Sequence, residues 1–275
     1  QTLDGLTARI LTASTPVLER TAPDAVLVHG DTSTAFALAL ASFYRQIPVG
    51  HVEAGLRSGN RYSPFPEEMN RRLVSNLASW HYAPTAGNRA NLVAEGVDPA
   101  NVWVTGNTVI DALLATVDPS YRFASGELAA VDFEGARVIG LTCHRRENLG
   151  APMERMFAAV RDAVDAHPDV EAVYPVHRNP AVRAVAERVL GGHPRIRLVE
   201  PLDYADFSNF MARCSFMLTD SGGVQEEAPA LDVPVVVLRD DTERPEALEA
   251  GCAVLAGTSY AGVRASCEAL LDDPA

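Results

Sequence analysis

Short apolar runs separated by amphipathic stretches recur along the whole chain, and this alternation limits the fold more than any other feature. Ala25-Val26-Leu27-Val28 lies between Pro23-Asp24 and Gly30-Asp31, a pattern that predicts a buried parallel strand. A helix over Leu6–Glu19 precedes it. Helices over Thr34–Tyr44, Pro66–Leu77 and Gly87–Glu95 then alternate with strands over Ile47–Val52, Trp80–Ala83 and Val102–Thr105. Residues 118–135 carry Pro119, Gly126 and Gly135 with weak periodicity and read as an inter-domain segment. Alternation then resumes, with strands at Arg137–Thr142, Glu171–Val176, Arg197–Val199, Phe216–Leu218, Val235–Leu238 and Ala253–Leu255. Two successive β/α series predict an α/β protein of two Rossmann-like, doubly wound domains, 1–117 and 136–275.

Composition narrows the function. The chain of 275 residues is 47% hydrophobic, enough for a packed core. Its formal net charge of −13 argues against a nucleic-acid partner. All 23 basic residues are Arg, so lysine Schiff bases and a P-loop lysine are excluded. Cys143, Cys214, Cys252 and Cys267 form no CxxC pair and no zinc spacing, so no metal is expected. No apolar run approaches the ~20 residues of a membrane span. A soluble, cytoplasmic protein with no membrane partner is the expectation.

In an open α/β sheet, ligands bind beyond the carboxyl ends of the strands. Asp31 and Glu53 follow the first two strands, and Glu67 and Glu68 open the next helix, so carboxylates converge on one edge of the first domain. Each also has a structural reading. Asp31 is a candidate helix N-cap, and Glu67 and Glu68 have Arg71 and Arg72 at helical spacing. For Glu68 the ion pair is favoured. In the second domain, Cys143-His144-Arg145-Arg146-Glu147 and Pro175-Val176-His177-Arg178 follow strands. Ser221-Gly222-Gly223 opens a helix bearing Glu227. Backbone N–H groups at such a turn suit a diphosphate, His144, Arg145, His177 and Arg178 suit its charge, and Glu227 suits ribose hydroxyls. Cys143 and His144, as strand neighbours, point apart and make no nucleophile–base dyad.

Together these segments resemble the non-hydrolysing UDP-N-acetylglucosamine 2-epimerases. The resemblance is carried by Val28-His29-Gly30-Asp31-Thr32, Gly50-His51-Val52-Glu53-Ala54-Gly55-Leu56-Arg57 and Tyr62-Ser63-Pro64-Phe65-Pro66-Glu67-Glu68-Met69-Asn70-Arg71. It continues through Thr105-Gly106-Asn107-Thr108-Val109-Ile110-Asp111, His144-Arg145-Arg146-Glu147-Asn148, Tyr174-Pro175-Val176-His177, the run from Thr219 to Pro229, and Thr242-Glu243-Arg244-Pro245-Glu246. It implies a GT-B-like fold with the active site in the inter-domain cleft. The implied reaction is reversible conversion of UDP-GlcNAc to UDP-ManNAc, by anti elimination of UDP to 2-acetamidoglucal and re-addition, with no cofactor. By position it makes Asp31, Glu53, Glu67 and His144 catalytic. It assigns Ser221, Gly222 and Gly223 to the diphosphate loop, Glu227 to the ribose, and His177 to a second diphosphate contact. Arg145 corresponds to a position linked in some members to a second, allosteric UDP-GlcNAc. The resemblance further implies a homodimer that feeds cell-surface polysaccharide synthesis.

The family's amino-terminal strand with its Gly-rich turn and its carboxy-terminal helix have no counterpart in the sequence. The chain therefore reads as a fragment, expected to be inactive or poorly folded by itself. Three other functions stay open: a hydrolysing epimerase releasing ManNAc and UDP, a GT-B glycosyltransferase, and a non-catalytic UDP-sugar binder. Three carboxylates on one edge weigh against the glycosyltransferase, which needs a single base.

Overall fold

The computed structural model describes residues 2–272. They form two compact units that divide between Thr108 and Val109. In the first, the order is α1 (Leu3–Thr21), β1 (Val26–His29), α2 (Ser33–Phe43), β2 (Val49–Val52), α3 (Glu67–Leu77), β3 (Trp80–Ala83), α4 (Ala86–Ala94) and β4 (Val102–Val104). The four strands are parallel and neighbour one another in sequence order. Val28 and Val49 pack with Ala35 and Ala39 of α2 and Val74 of α3, while Ala54, Ala83, Leu92 and Val102 form a second small core.

The second unit opens with helix α5 (Thr108–Thr116). Its elements are α6 (Gly126–Ala129), β5 (Arg137–Thr142), α7 (Ala151–Ala166), β6 (Val170–Pro175), α8 (Pro180–Leu190), β7 (Ile196–Val199), α9 (Tyr204–Met211) and β8 (Phe216–Thr219). Then come α10 (Val224–Glu227), β9 (Val235–Val237), α11 (Pro245–Glu249), β10 (Ala253–Leu255) and α12 (Tyr260–Asp272). The sheet runs β10-β9-β8-β5-β6-β7, all parallel.

The apolar runs alternate between two faces, which makes this sheet doubly wound. Ile139, Leu141, Tyr174, Phe216, Leu218 and Val236 share one core with residues of α7, α8 and α12. Their strand neighbours Val138, Val173, Met217, Val235 and Val237 share the other with Leu113 of α5, Leu128 of α6 and Phe210 of α9. Both faces are covered, so the strands read as continuous apolar runs. The α/β class and the parallel strands are as the sequence predicts, with most strand ends within a residue of expectation.

Residues 118–135 lie within the second unit and pack into it. Leu128 and Val131 are buried in its core, with Phe123 and Phe133 against it. Asp206 accepts hydrogen bonds from Tyr121 Oη and from the amides of Ala124 and Ser125. No helix among the described residues is long and apolar enough to cross a membrane.

Phe157 of α7 is fully buried and meets Tyr174 edge-on, ring centroids 5.4 Å apart. Phe157→Ala is expected to cost about 3–5 kcal/mol of stability, read from urea unfolding.

Candidate active site

In the first unit, β1 and β2 lie in register, His29 beside Val52, so the residues beyond them emerge side by side. Gly30 takes φ +72° and Glu53 φ +63°. A methyl at Gly30 would lie 3.0 Å from Glu53 Oε2, so the Glu53 carboxylate sits directly over this turn. His29 Nε2 is 3.6 Å from the same oxygen, and Asn107 Nδ2 donates to Glu53 Oε1 at 3.4 Å.

Asp31 is not the cap of α2. Thr32 is, its hydroxyl accepting from the Ala35 amide, and this leaves the Asp31 carboxylate free to pair with Arg71 at 2.5 Å. Asn70 Nδ2 donates to the Asp31 carbonyl at 2.8 Å. Both partners come from the first turns of α3, which Glu67 opens. The carboxylate of Glu67 makes no ion pair among the described residues. Asp31 and Glu53 are thus brought to one turn, and Glu67 stands on the helix that holds it.

Glu68 makes the ion pairs expected of it. It is fully buried, pairs with Arg71 at 3.4 Å and Arg72 at 3.1 Å, and accepts from the Ser58 amide at 3.0 Å. Arg57 extends this network with two bonds to Glu95, at 2.9 and 2.6 Å, and holds the Glu95 carboxyl below its ordinary range.

In the second unit, strand order reverses between β5 and β8, the place where a doubly wound sheet opens a crevice. A pocket of about 490 Å³ lies there. Thr142, His144, His177, Arg178, Ser221 and Glu227 line its polar part, and Pro201, Leu202, Tyr204 and Phe207 its apolar part. The His144 and His177 rings stack 13° from parallel, with centroids 5.3 Å apart.

The organising group is one that the sequence analysis missed. Asp220 is fully buried. It accepts from the amides of His144 at 3.0 Å and Arg145 at 2.9 Å, from Asn148 Nδ2 at 3.0 Å, and from the Cys143 thiol at 3.3 Å. Arg145 Nε in turn donates to the Asp220 carbonyl at 2.7 Å, so Arg145 acts here as a strut between the two loops. Burial and Asp220 push the Cys143 thiol well up, which keeps it protonated and unreactive. A lone Asp before Ser-Gly-Gly gives no sequence signal of this role.

The glycine turn is more selective than its sequence suggests. The Ser221 amide is spent on Thr219 Oγ1 at 2.9 Å. The amides of Gly222 and Gly223 donate to nothing among the described residues and remain available. A methyl at Gly222 would lie 2.5 Å from Arg244 Nη1, so a side chain there requires Arg244 to move. Arg244 is held in turn by Glu226 and Glu243. Glu227 is buried, which together with Glu226 raises its pKa, against an opposing pull from Arg244. Among the described residues no cluster of His, Cys, Asp or Glu is arranged to hold a metal ion.

Comparison with known proteins matches residues 1–275 to the profile of the family described as UDP-N-acetylglucosamine 2-epimerase. A Bacillus subtilis UDP-N-acetylglucosamine 2-epimerase is 52% identical over 274 residues, covering 100% of this chain and 71% of the relative. The Staphylococcus aureus MnaA–UDP co-structure superposes with a TM-score of 0.95 at 50% identity, over 100% of this chain and 74% of that one. The UDP-GlcNAc 2-epimerase of Neisseria meningitidis, solved with UDP-GlcNAc, gives 0.92 at 42% identity, over 100% and 75%.

Removing Asp220 leaves two amides and the Asn148 side chain without their buried acceptor. At about 1–3 kcal/mol for each such donor, Asp220→Ala is expected to lose about 3 kcal/mol or more in chemical denaturation. An unchanged unfolding midpoint would refute its role as anchor.

Proposed function

This chain belongs to the UDP-N-acetylglucosamine 2-epimerase family, and we propose that it interconverts UDP-GlcNAc and UDP-ManNAc without releasing free sugar. The observation that carries this reading is the pairing of Asp31 and Glu53 at one turn, with Glu67 on the helix that holds it. Moving a proton off one face of C2 and onto the other requires more than one acid/base group. Their surroundings differ, Asp31 against Arg71 and Glu53 beside His29 and Asn107. Such a difference suits carboxylates with distinct tasks.

The pocket of the second unit supports the nucleotide half of the proposal. Its apolar part, Pro201, Leu202, Tyr204 and Phe207, suits the uracil ring. Glu227 accepts from the ribose hydroxyls. The free amides of Gly222 and Gly223, next to Ser221, donate to the diphosphate, and His144 and His177 flank it. Loss of the C2 proton expels UDP by anti elimination, and negative charge gathers on the departing phosphate. Preorganised N–H donors and His144 stabilise that charge. UDP stays bound and adds back to the 2-acetamidoglucal after the proton returns to the opposite face. No step calls for a nicotinamide or a metal. The homodimer, the allosteric role of Arg145 and the supply of surface polysaccharide are carried by family likeness and belong to the same proposal.

NMR of UDP-GlcNAc incubated with the chain in D2O tests the reaction. UDP-ManNAc deuterated at C2 is expected. Free ManNAc with UDP would move the reading to the hydrolysing type, and unchanged substrate would overturn it for these residues. Glu53→Gln is expected to abolish C2 exchange while UDP binds as before, whereas equal loss of both would make Glu53 structural. Glu227→Gln is expected to weaken UDP by ~1.5–3 kcal/mol in calorimetry. Because UDP takes the ionised Glu227, affinity is full above its raised pKa and falls as pH drops through it. That fall is expected to begin at a higher pH than for an ordinary glutamate and to vanish in the variant.

A further inference from the structure

We propose that His51 is a positioning residue for the acid/base carboxylates: its Nε2–H, donated to the Gly30 carbonyl, holds the left-handed turn that carries Asp31 beneath Glu53. The proposal rests on the roles of Asp31 and Glu53 given above.

His51 lies in the middle of β2, fully buried, in register with Val28 on one side and His81 on the other. Nε2 stands 2.9 Å from the Gly30 oxygen, and Nδ1 is buried with no hydrogen-bond partner. A buried polar atom left unpaired costs stability that an apolar residue of similar size would not. Core packing therefore does not account for a histidine here, and what the imidazole adds is its single hydrogen bond. Burial, with His81, Arg57 and His29 nearby, lowers its pKa to about 4. At neutral pH it is an uncharged ring, and a carbonyl can only accept, so the ring proton is on Nε2. It adds no charge beside the carboxylates.

The bond acts where the backbone is least constrained. Gly30 sits at φ +72° and has the widest conformational freedom of any residue. Its amide donates to the Val52 carbonyl at 3.0 Å, and its carbonyl accepts from His51, so β2 grips both polar groups of this residue. From the other side, Asn70 holds the Asp31 carbonyl and Arg71 the Asp31 carboxylate. Without His51, nothing on the β2 side fixes the Gly30 carbonyl, and the peptide joining Gly30 to Asp31 is held only from the Asp31 side. A shift of that peptide moves Asp31 and the turn over which Glu53 lies. Displacements of about 1 Å in catalytic groups slow turnover by about 100-fold.

The test compares His51→Leu, which removes the donor, with His51→Gln, whose amide keeps one at similar reach. On the full chain, UDP affinity, the melt, and kcat and KM for UDP-GlcNAc in D2O are measured. The leucine variant is expected to melt cooperatively, bind UDP as wild type and keep its KM, while kcat falls about 10–100-fold. The glutamine variant is expected to recover most of that loss. A leucine variant with wild-type kcat, or equal loss in both variants, overturns the proposal. If the leucine variant does not fold, the glutamine variant decides: near-wild-type kcat upholds the donor role, and a tenfold loss in a folded protein overturns it. If wild type itself shows no turnover, the functional reading fails instead. Positioning is then read from hydrogen exchange at the amides of residues 30–32, faster in the leucine than in the glutamine variant, and equal rates overturn it.

Discussion

A buried carboxylate that no arginine side chain pairs with among the described residues governs the second unit. Asp220 follows β8, and Cys143 follows β5, because those strands pair in register with Thr142 beside Thr219. That pairing brings two loops together but does not fix them. Asp220 fixes them, since its oxygens take amide hydrogens from the β5 loop and the side chain of Asn148 at its base. Amide dipoles meet the acid, with His144 Nδ1 3.6 Å from Oδ1, and charge-assisted bonds of this kind are stronger than neutral ones. A carboxylate facing the candidate diphosphate loop would repel an anion there. Here the Asp220 oxygens are engaged by the β5 loop, and the amides of Gly222 and Gly223 donate to nothing among the described residues.

The first unit meets the same need with ion pairs. Asp31 pairs with Arg71, Arg71 with Glu68, Glu68 with Arg72, Arg72 with Glu95, and Glu95 with Arg57. Glu68 lies at the centre of this chain, with its carboxylate fully buried. The chain ties the segment after β2 to α3 and α4, so the helix bearing Glu67 is fixed relative to the turn bearing Asp31. One exposed pair would contribute little. A connected set around a buried acid is different, because losing one member strands the charge of its neighbour.

Much of the fold was legible because its strands are buried on both faces and read as plain apolar runs bounded by turn residues. Residues 118–135 were not. Their apolar residues, Phe123, Leu128, Val131 and Phe133, are spaced without helix or strand period, and only tertiary contacts show that they pack. At the candidate site, position after a strand located Asp31, Glu53, His144 and Ser221. It did not reveal that Thr32 caps α2, that the Ser221 amide is already taken, or that Gly222 is small to admit Arg244. These depend on side chains distant in sequence, whose meeting no local pattern encodes. Asp220 escaped notice for the same reason, since its partners lie more than 70 positions earlier.

The exclusive use of arginine gains a structural meaning from these networks. Arg57 alone donates to Glu95 twice, to Ser75 Oγ and to the Leu56 carbonyl. Arg71 spans Asp31 and Glu68, Arg244 spans Glu226 and Glu243, and Arg145 reaches both Asp220 and Glu147. A planar guanidinium with five donors serves several acceptors at once, while an ammonium is a compact point charge. Acidic residues outnumber basic ones by 36 to 23, and at the sites that matter here one cation serves two or more acceptors. Arginine does so in a fixed geometry, and that geometry is what the candidate acid/base residues inherit.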